Sequence, residues 1–305
     1  MSVKVQECVL VNEIVHERST EQALWDAIVV PDEVKERIRN QSLLSLLIRP
    51  ELPFAATALH GLCTLYGPPG TGKTTLARGL PAQIARYMPG REVRRIEINP
   101  HGLMSAEHGR SQQRVTELLA EHVPTLAADG IPTVVLLDEV ESMAIARSAA
   151  SLAANPADVH RATDAVLAAL DYNADQHPHV FFVAISNFTS ALDGAFLSRS
   201  DAAILVPLPD ASALQAILQS TLLALGDKYP ALRNLARAPG LTEIAAHAQG
   251  LDGRRARKVV FEALSHRLDT VLDPGRLTEH DLAAAVQTSL HQVTTDAAEN
   301  SDVAA

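Results

Sequence analysis

The chain has 305 residues, 47% hydrophobic and 20% charged, with a formal net charge of −10. That balance excludes a disordered chain, and this length can bury the core of one large or two ordinary domains. The acidic excess argues against non-specific nucleic-acid binding, and no apolar run reaches the roughly 20 residues needed to cross a bilayer.

Residues 1–23 are mixed and predict no element, and the opening "MSVKVQECVLVNEIVHE" lacks the apolar core of a signal peptide. Cys8 and Cys63 have neither pairing nor metal-ligand spacing, so a reducing, cytoplasmic setting is expected. "PDEVKERIRNQSLLSLLI" predicts a helix, with Pro31 at its first turn and acids just after it. Short apolar runs then alternate with amphipathic helical stretches: "LCTLYG" (62–67), "VRRIEI" (93–98), "TVVLLDE" (133–139), "HVFFVAIS" (179–186) and "AAILVPL" (202–208). Alternation of this kind predicts an α/β domain over 24–208, with a five-stranded parallel sheet flanked by helices. Beyond it the strand signals stop. A small helical domain is expected over 209–293, its later helices opening at a polar cap (Asp252) and at a Thr-x-x-Asp approximation to a capping box. Residues 294–305 read as a frayed tail.

Chemistry concentrates at strand ends. "GPPGTGKT" follows one strand and opens a helix, the setting of a phosphate-binding loop. Gly67, Gly70 and Gly72 let backbone amides turn inward, and Pro68, Pro69, Thr71 and Thr75 complete the cradle. Lys73 would reach the β- and γ-phosphates of ATP, and the Thr74 hydroxyl would ligate Mg²⁺. "VVLLDE" ends in two carboxylates. Asp138 is expected to hold the same Mg²⁺ and Glu139 to polarise the attacking water, unless the pair merely caps the next helix. Asn187 ends another strand, where its amide would orient that water or satisfy a turn. Arg199, just before the last strand, suits a guanidinium reaching a neighbouring subunit's γ-phosphate; a surface salt bridge with Asp193 or Asp201 is the competing reading. Arg254 opens a helix after a Gly–Asp–Gly turn and would sense γ-phosphate from the helical domain. The basic run Arg254, Arg255, Arg257 and Lys258 reads alternatively as a nucleic-acid patch or a solvated face.

Walker A, Walker B, the polar strand tip, the arginine before the final strand and the later arginine, in this order, resemble an AAA+ ATPase. "LWDAIVVPDEVKERI", "DEVES…AR…DVHRATDAVLAALD", "SNFTSALDGAFLSRSD" and "GLDGRRARK" narrow the likeness, over about Leu24 to Gln292, to the pachytene checkpoint and thyroid-receptor-interacting ATPases. The resemblance implies a homohexameric ring that draws HORMA-domain proteins through its pore; charge and the lack of a long apolar run argue against nucleic-acid and membrane partners. The short N-terminus is similar to the bacterial branch. Those members dismantle HORMA complexes, sometimes with a nucleotidyltransferase bound, in CBASS antiphage operons.

The same likeness assigns "INPHGLMSAEHGRSQQ" to the first pore loop, with Leu103, Met104, Glu107 and His108 facing the channel, and "AIARSAASLAANPAD" to the second. It places Ile28 and Val29 where the family cradles adenine, mostly through backbone groups. Two departures stand out: the first pore loop lacks an aromatic, and Arg199 stands alone where many relatives carry two arginines. Two other functional classes compete with the remodeller. A DNA-handling ATPase has only the "RRARK" run in its favour, and a nucleotide-dependent scaffold would be free to lose some of Lys73, Asp138, Glu139, Asn187 and Arg199.

Overall fold

The computed structural model describes residues 5–100, 103, 110–146, 156–187 and 192–303. The chain packs as two units, Met1–Gly67 with Lys73–Val206, and Pro68–Gly72 with Pro207–Ala305.

The first unit is built on a six-stranded sheet of order β1–β3–β4–β5–β2–β6. Its strands are β1 (Val9–His16), β2 (Leu62–Tyr66), β3 (Glu92–Ile98), β4 (Thr133–Leu137), β5 (Val180–Ser186) and β6 (Ala202–Leu205). β2 to β6 run parallel, as expected. The sixth strand corrects the sequence reading: residues 9–16 pair antiparallel with β3. "VLVNEIVH" is rich in β-branched residues, but as an edge strand it stays largely uncovered and shows no continuous apolar run. Residues 9–16, ahead of the expected domain start at 24, are therefore part of the sheet.

β4 and β5 are buried at every position, as strands must be when helices cover both faces. Their alternation splits the core in two. Val135, Leu137, Phe182 and Ala184 join Leu118, Leu170 and Phe196 on one face. Val134, Leu136, Phe181 and Val183 join Leu76, Leu80, Ile38 and Trp25 on the other.

Arg49 is buried just after the helix Asp32–Ile48, where it donates to the Val180 carbonyl at 2.7 Å and to the Asn173 and Ala174 carbonyls. Burial lowers its pKa to about 10. Gly61 is left-handed at φ +70°, and a Cβ there would lie 1.8 Å from Arg49 Nη1. Gly61→Ala must both strain the backbone and dislodge a guanidinium that holds three buried carbonyls. A loss of about 2–3 kcal/mol is expected, read as a melting temperature lower by roughly 5–10 °C. An unchanged melting temperature would show that Arg49 yields freely.

The second unit is helical, with Ala211–Gly226, Gly240–His247, Gly253–Ser265 and Glu279–Val303 as its main elements. In Gly253–Ser265 the buried residues Ala256, Val259, Val260 and Ala263 form one stripe at i, i+3, i+4 and i+7. Thr278 and Asp281 close the expected box reciprocally, through N–H bonds of 3.0 and 3.3 Å. The last helix continues past residue 293 to Val303, where the sequence reading expects a frayed tail. "DAAEN" carries good helix formers and no breaker, so the helix has no local reason to stop. Among the described residues no helix is long and apolar enough to cross a membrane.

Candidate functional site

Parallel register brings the strand-end residues together. β4 lies between β3 and β5, with Leu137 opposite Ile98 on one side and Ala184 on the other. One step beyond the ladder, Asp138 therefore falls beside Asn99. β5 also pairs with β2, Tyr66 opposite Ser186, so Asn187 comes level with Gly67 at the start of the glycine loop. The carboxyl ends of parallel strands, where chain order reverses across the sheet, are where such folds bind ligands.

Gly67, Gly70 and Gly72 have φ of +144°, +78° and +93°, a run that only glycine adopts without strain. Lys73, buried at the first position of the helix Lys73–Ala85, folds its ammonium back onto the Gly67 carbonyl at 2.8 Å. One residue on, Thr74 Oγ1 donates to Asp138 Oδ2 at 2.9 Å. Residues 64 apart in sequence thus share a proton at the mouth of the loop. Thr75 continues the same helix.

Glu139 is left-handed (φ 51°, ψ 46°), a conformation costing a non-glycine residue about 1 kcal/mol. Its N–H bonds to Asp138 Oδ1 at 3.0 Å, just past the last strand residue, Leu137. Asp138 and Glu139 line a cavity of about 170 Å³ with Thr74, Arg78, Glu97 and Asn99. Those last three escaped the sequence reading. Arg78 lies one helical turn after Thr74 and clamps Glu97, its Nε 3.1 Å from both carboxylate oxygens. Glu97 is also within 3.4 Å of Arg95, itself buried and paired with Glu13 on β1 at 2.6 Å. The available signal was the charge pattern of "VRRIEI": a strand between covered faces retains two arginines and a glutamate only if they pair.

Asn187 is tied through its N–H to Glu141 Oε1 at 3.4 Å. Arg199 closes the helix Gly194–Ser198, which Asp193 caps by accepting the Ala195 N–H. Its salt bridge is with neither Asp193 nor Asp201. Nε and Nη2 meet the two carboxylate oxygens of Asp171 at 2.7 and 2.8 Å, and Nη1 meets the Ala195 carbonyl at 2.9 Å. That hydrogen-bonded pairing holds the Asp171 carboxyl below the usual carboxylate range and raises Arg199 further.

In the second unit Asp252 caps its helix by accepting the N–H groups of Arg254 and Arg255 at 2.8 and 2.9 Å. The Arg254 N–H also reaches the Gly70 carbonyl at 3.2 Å. A cleft of about 470 Å³ is lined by Pro69, Gly70, Arg254, Arg255 and Lys258. Three of the four cations in the basic run thus line one cleft with Pro69 and Gly70, and the acidic Asp252 and Glu262 line it with them.

One expectation changes here. Leu103 does not face outward: its N–H turns back to the Pro100 carbonyl at 3.0 Å, and its side chain is fully buried in the core cluster that includes Cys8, Ile98 and Val115. Met104, Glu107 and His108 lie outside the described residues, as do residues 147–155 of the second expected pore loop. Ile28 is buried in the core cluster that includes Trp25, leaving its backbone, and the half-buried Val29 beside it, for any contact with a base.

A family model described as "ATPase family associated with various cellular activities (AAA)" matches residues 63–208. CD-NTase-associated protein 6 of Pseudomonas aeruginosa is 43% identical over 264 residues, 87% of this chain and 86% of that one. This chain belongs to the AAA ATPase family of CD-NTase-associated protein 6. The dog (Canis lupus familiaris) pachytene checkpoint protein 2 homolog is 32% identical, across 87% of this chain and 66% of its own length. C. elegans PCH-2 superposes with a TM-score of 0.73 at 24% identity, over 93% of this chain and 76% of that one. The E. coli MS115-1 HORMA:CdnC:Trip13 complex contributes a chain with a TM-score of 0.68 at 19% identity, covering 94% of this chain and 97% of that one. These likenesses establish the AAA fold and, through the family, nucleotide binding and ATPase chemistry.

Proposed function

We propose that this protein is an ATP-driven remodeller of a HORMA-domain protein. It works as a homohexameric ring that draws one end of its substrate into the channel and so dismantles a HORMA complex holding a nucleotidyltransferase. Its effect is to switch off a cyclic-oligonucleotide antiphage response. The observation that carries the chemistry is the Thr74–Asp138 hydrogen bond at 2.9 Å, which joins the two halves of an ATPase site. Support for the substrate is the 43% identity to CD-NTase-associated protein 6 along nearly the whole chain. A neighbour in fold was solved with HORMA and CdnC bound.

A hydroxyl and a carboxylate from Thr74 and Asp138 are the hard oxygen donors that Mg²⁺ takes, and water would complete its shell. Mg²⁺ there would neutralise charge on the β- and γ-phosphate oxygens. Lys73 leaves the Gly67 carbonyl for those oxygens, and the loop amides of residues 68–72 take the remaining lone pairs. Glu139 receives the proton of the attacking water, and Asn187 fixes that water's direction. Arg199 neutralises the developing charge on a neighbouring copy's γ-phosphate, and Arg254 reports whether that phosphate is still present.

Steady-state phosphate release, with and without a HORMA-domain protein bearing a free N-terminus, tests the reading. Turnover should rise several-fold and fall back when that N-terminus is trimmed. Stimulation by DNA instead would favour a DNA-handling ATPase, and absence of turnover a scaffold.

A further inference from the structure

Arg199 is held by its own chain more completely than a surface salt bridge requires. A guanidinium has five N–H donors. Three are engaged here: two in a fork on Asp171 and one on the Ala195 carbonyl. Forked pairing of this kind fixes orientation as well as charge. The side chain is 23% exposed, so it is not sealed off, and two of its N–H groups remain unengaged.

Asp171 is itself braced. It sits on the helix Pro156–Gln176, and His60 Nε2 lies 3.4 Å from its Oδ1. The His60 ring packs edge-on to Phe54 at 4.9 Å, and its backbone N–H donates to Asp201 Oδ1 at 2.8 Å. Asp201 also accepts the N–H groups of Gly61 and Leu62, at 2.9 and 3.3 Å. The segment carrying Arg199 is therefore clasped twice, by Asp201 onto the start of β2 and by Arg199 itself onto the long helix. A residue needed only for stability would not require its guanidinium oriented at both ends.

We propose that Asp171 is the positioning residue for Arg199. It holds the guanidinium so that the two unengaged N–H groups are presented, already oriented, to the γ-phosphate on a neighbouring copy, with His60 bracing the carboxylate. The proposal rests on the reading of Arg199 given above. It makes Asp171 a strut that stays paired during catalysis, not a latch that must open.

The test compares Asp171→Ala, Asp171→Asn, Arg199→Ala and the Asp171→Ala/Arg199→Ala double variant in the full-length protein, at protein concentrations that saturate turnover. Asp171→Ala is expected to lower kcat about tenfold or more and leave KM for ATP within about twofold, since the arginine acts on another copy's site. Asp171→Asn, which retains one acceptor oxygen and cannot pair with both nitrogens, should lose less. In the Arg199→Ala background the Asp171→Ala change should cost nothing further. Unchanged kcat with a lowered melting temperature would reduce the pair to a structural bond. Raised kcat would make it a latch, and additive losses would place Asp171 outside the arginine's work; each overturns the strut alone. Normal turnover in Arg199→Ala would overturn the arginine's own role and the strut with it.

Discussion

Glu139→Gln should bind ATP with wild-type affinity and hydrolyse it roughly 10²–10⁴-fold more slowly, the range spanned by loss of a general base. The side chain keeps its size and its place at the cavity wall beside Thr74 and Asp138, but no longer accepts a proton. None of the groups proposed to hold phosphate changes: Lys73, the glycine loop and the Thr74–Asp138 bond are intact. The left-handed backbone at Glu139 gives this expectation its physical basis, because a φ of 51° for a glutamate is maintained only where the fold enforces it. Phosphate release under single-turnover conditions, together with retention of labelled ATP, measures both halves of the claim. Unaltered hydrolysis would remove Glu139 from the mechanism. A variant that also failed to retain ATP would make the residue a binding group.

Arg199→Ala should slow turnover by about 10³-fold or more, the scale of an arginine that stabilises phosphoryl-transfer charge. ATP affinity should move by less than about threefold. Its partners in its own chain are Asp171 and the Ala195 carbonyl, so truncation leaves the glycine loop on the same chain untouched. With no second arginine beside it in "LSRSD", there is no neighbour to take over. Mixing supplies a sharper measurement. Rings containing both Arg199→Ala and Lys73→Ala subunits should recover some turnover wherever an intact loop meets an intact arginine. Recovery distinguishes an arginine acting between copies from one acting within its own.

Much of the candidate site was legible because the features that suit phosphate chemistry leave local marks. A loop that turns amides inward needs glycine at particular positions, and a carboxylate at a strand tip needs a hydrophobic strand before it. "GPPGTGKT" and "VVLLDE" carry both signals in the chain itself. Arg199 was legible as a candidate, but its partner was not. Asp171 lies 28 residues earlier on a helix, and nothing in "LDYNADQ" signals which face turns toward the arginine. Leu103 shows the opposite error. A loop without apolar periodicity reads as exposed, yet a turn at Pro100 drops this one leucine into the core, a long-range contact with no local pattern.

From residue order alone came the α/β character, the five parallel strands, the helical C-terminal unit and the positive-φ glycine loop near the two strand-end carboxylates. Each follows from short-range rules: two-residue and 3.6-residue periodicity, caps, and glycine where φ is positive. Three-dimensional packing alone decided the antiparallel edge strand and the Arg78–Glu97 clamp at the cavity wall. It also decided the Asp171 fork on Arg199 and the inward turn of Leu103. These depend on which faces meet after the chain has closed on itself, and a charged residue on a strand or helix carries no local record of the opposite charge that will neutralise it.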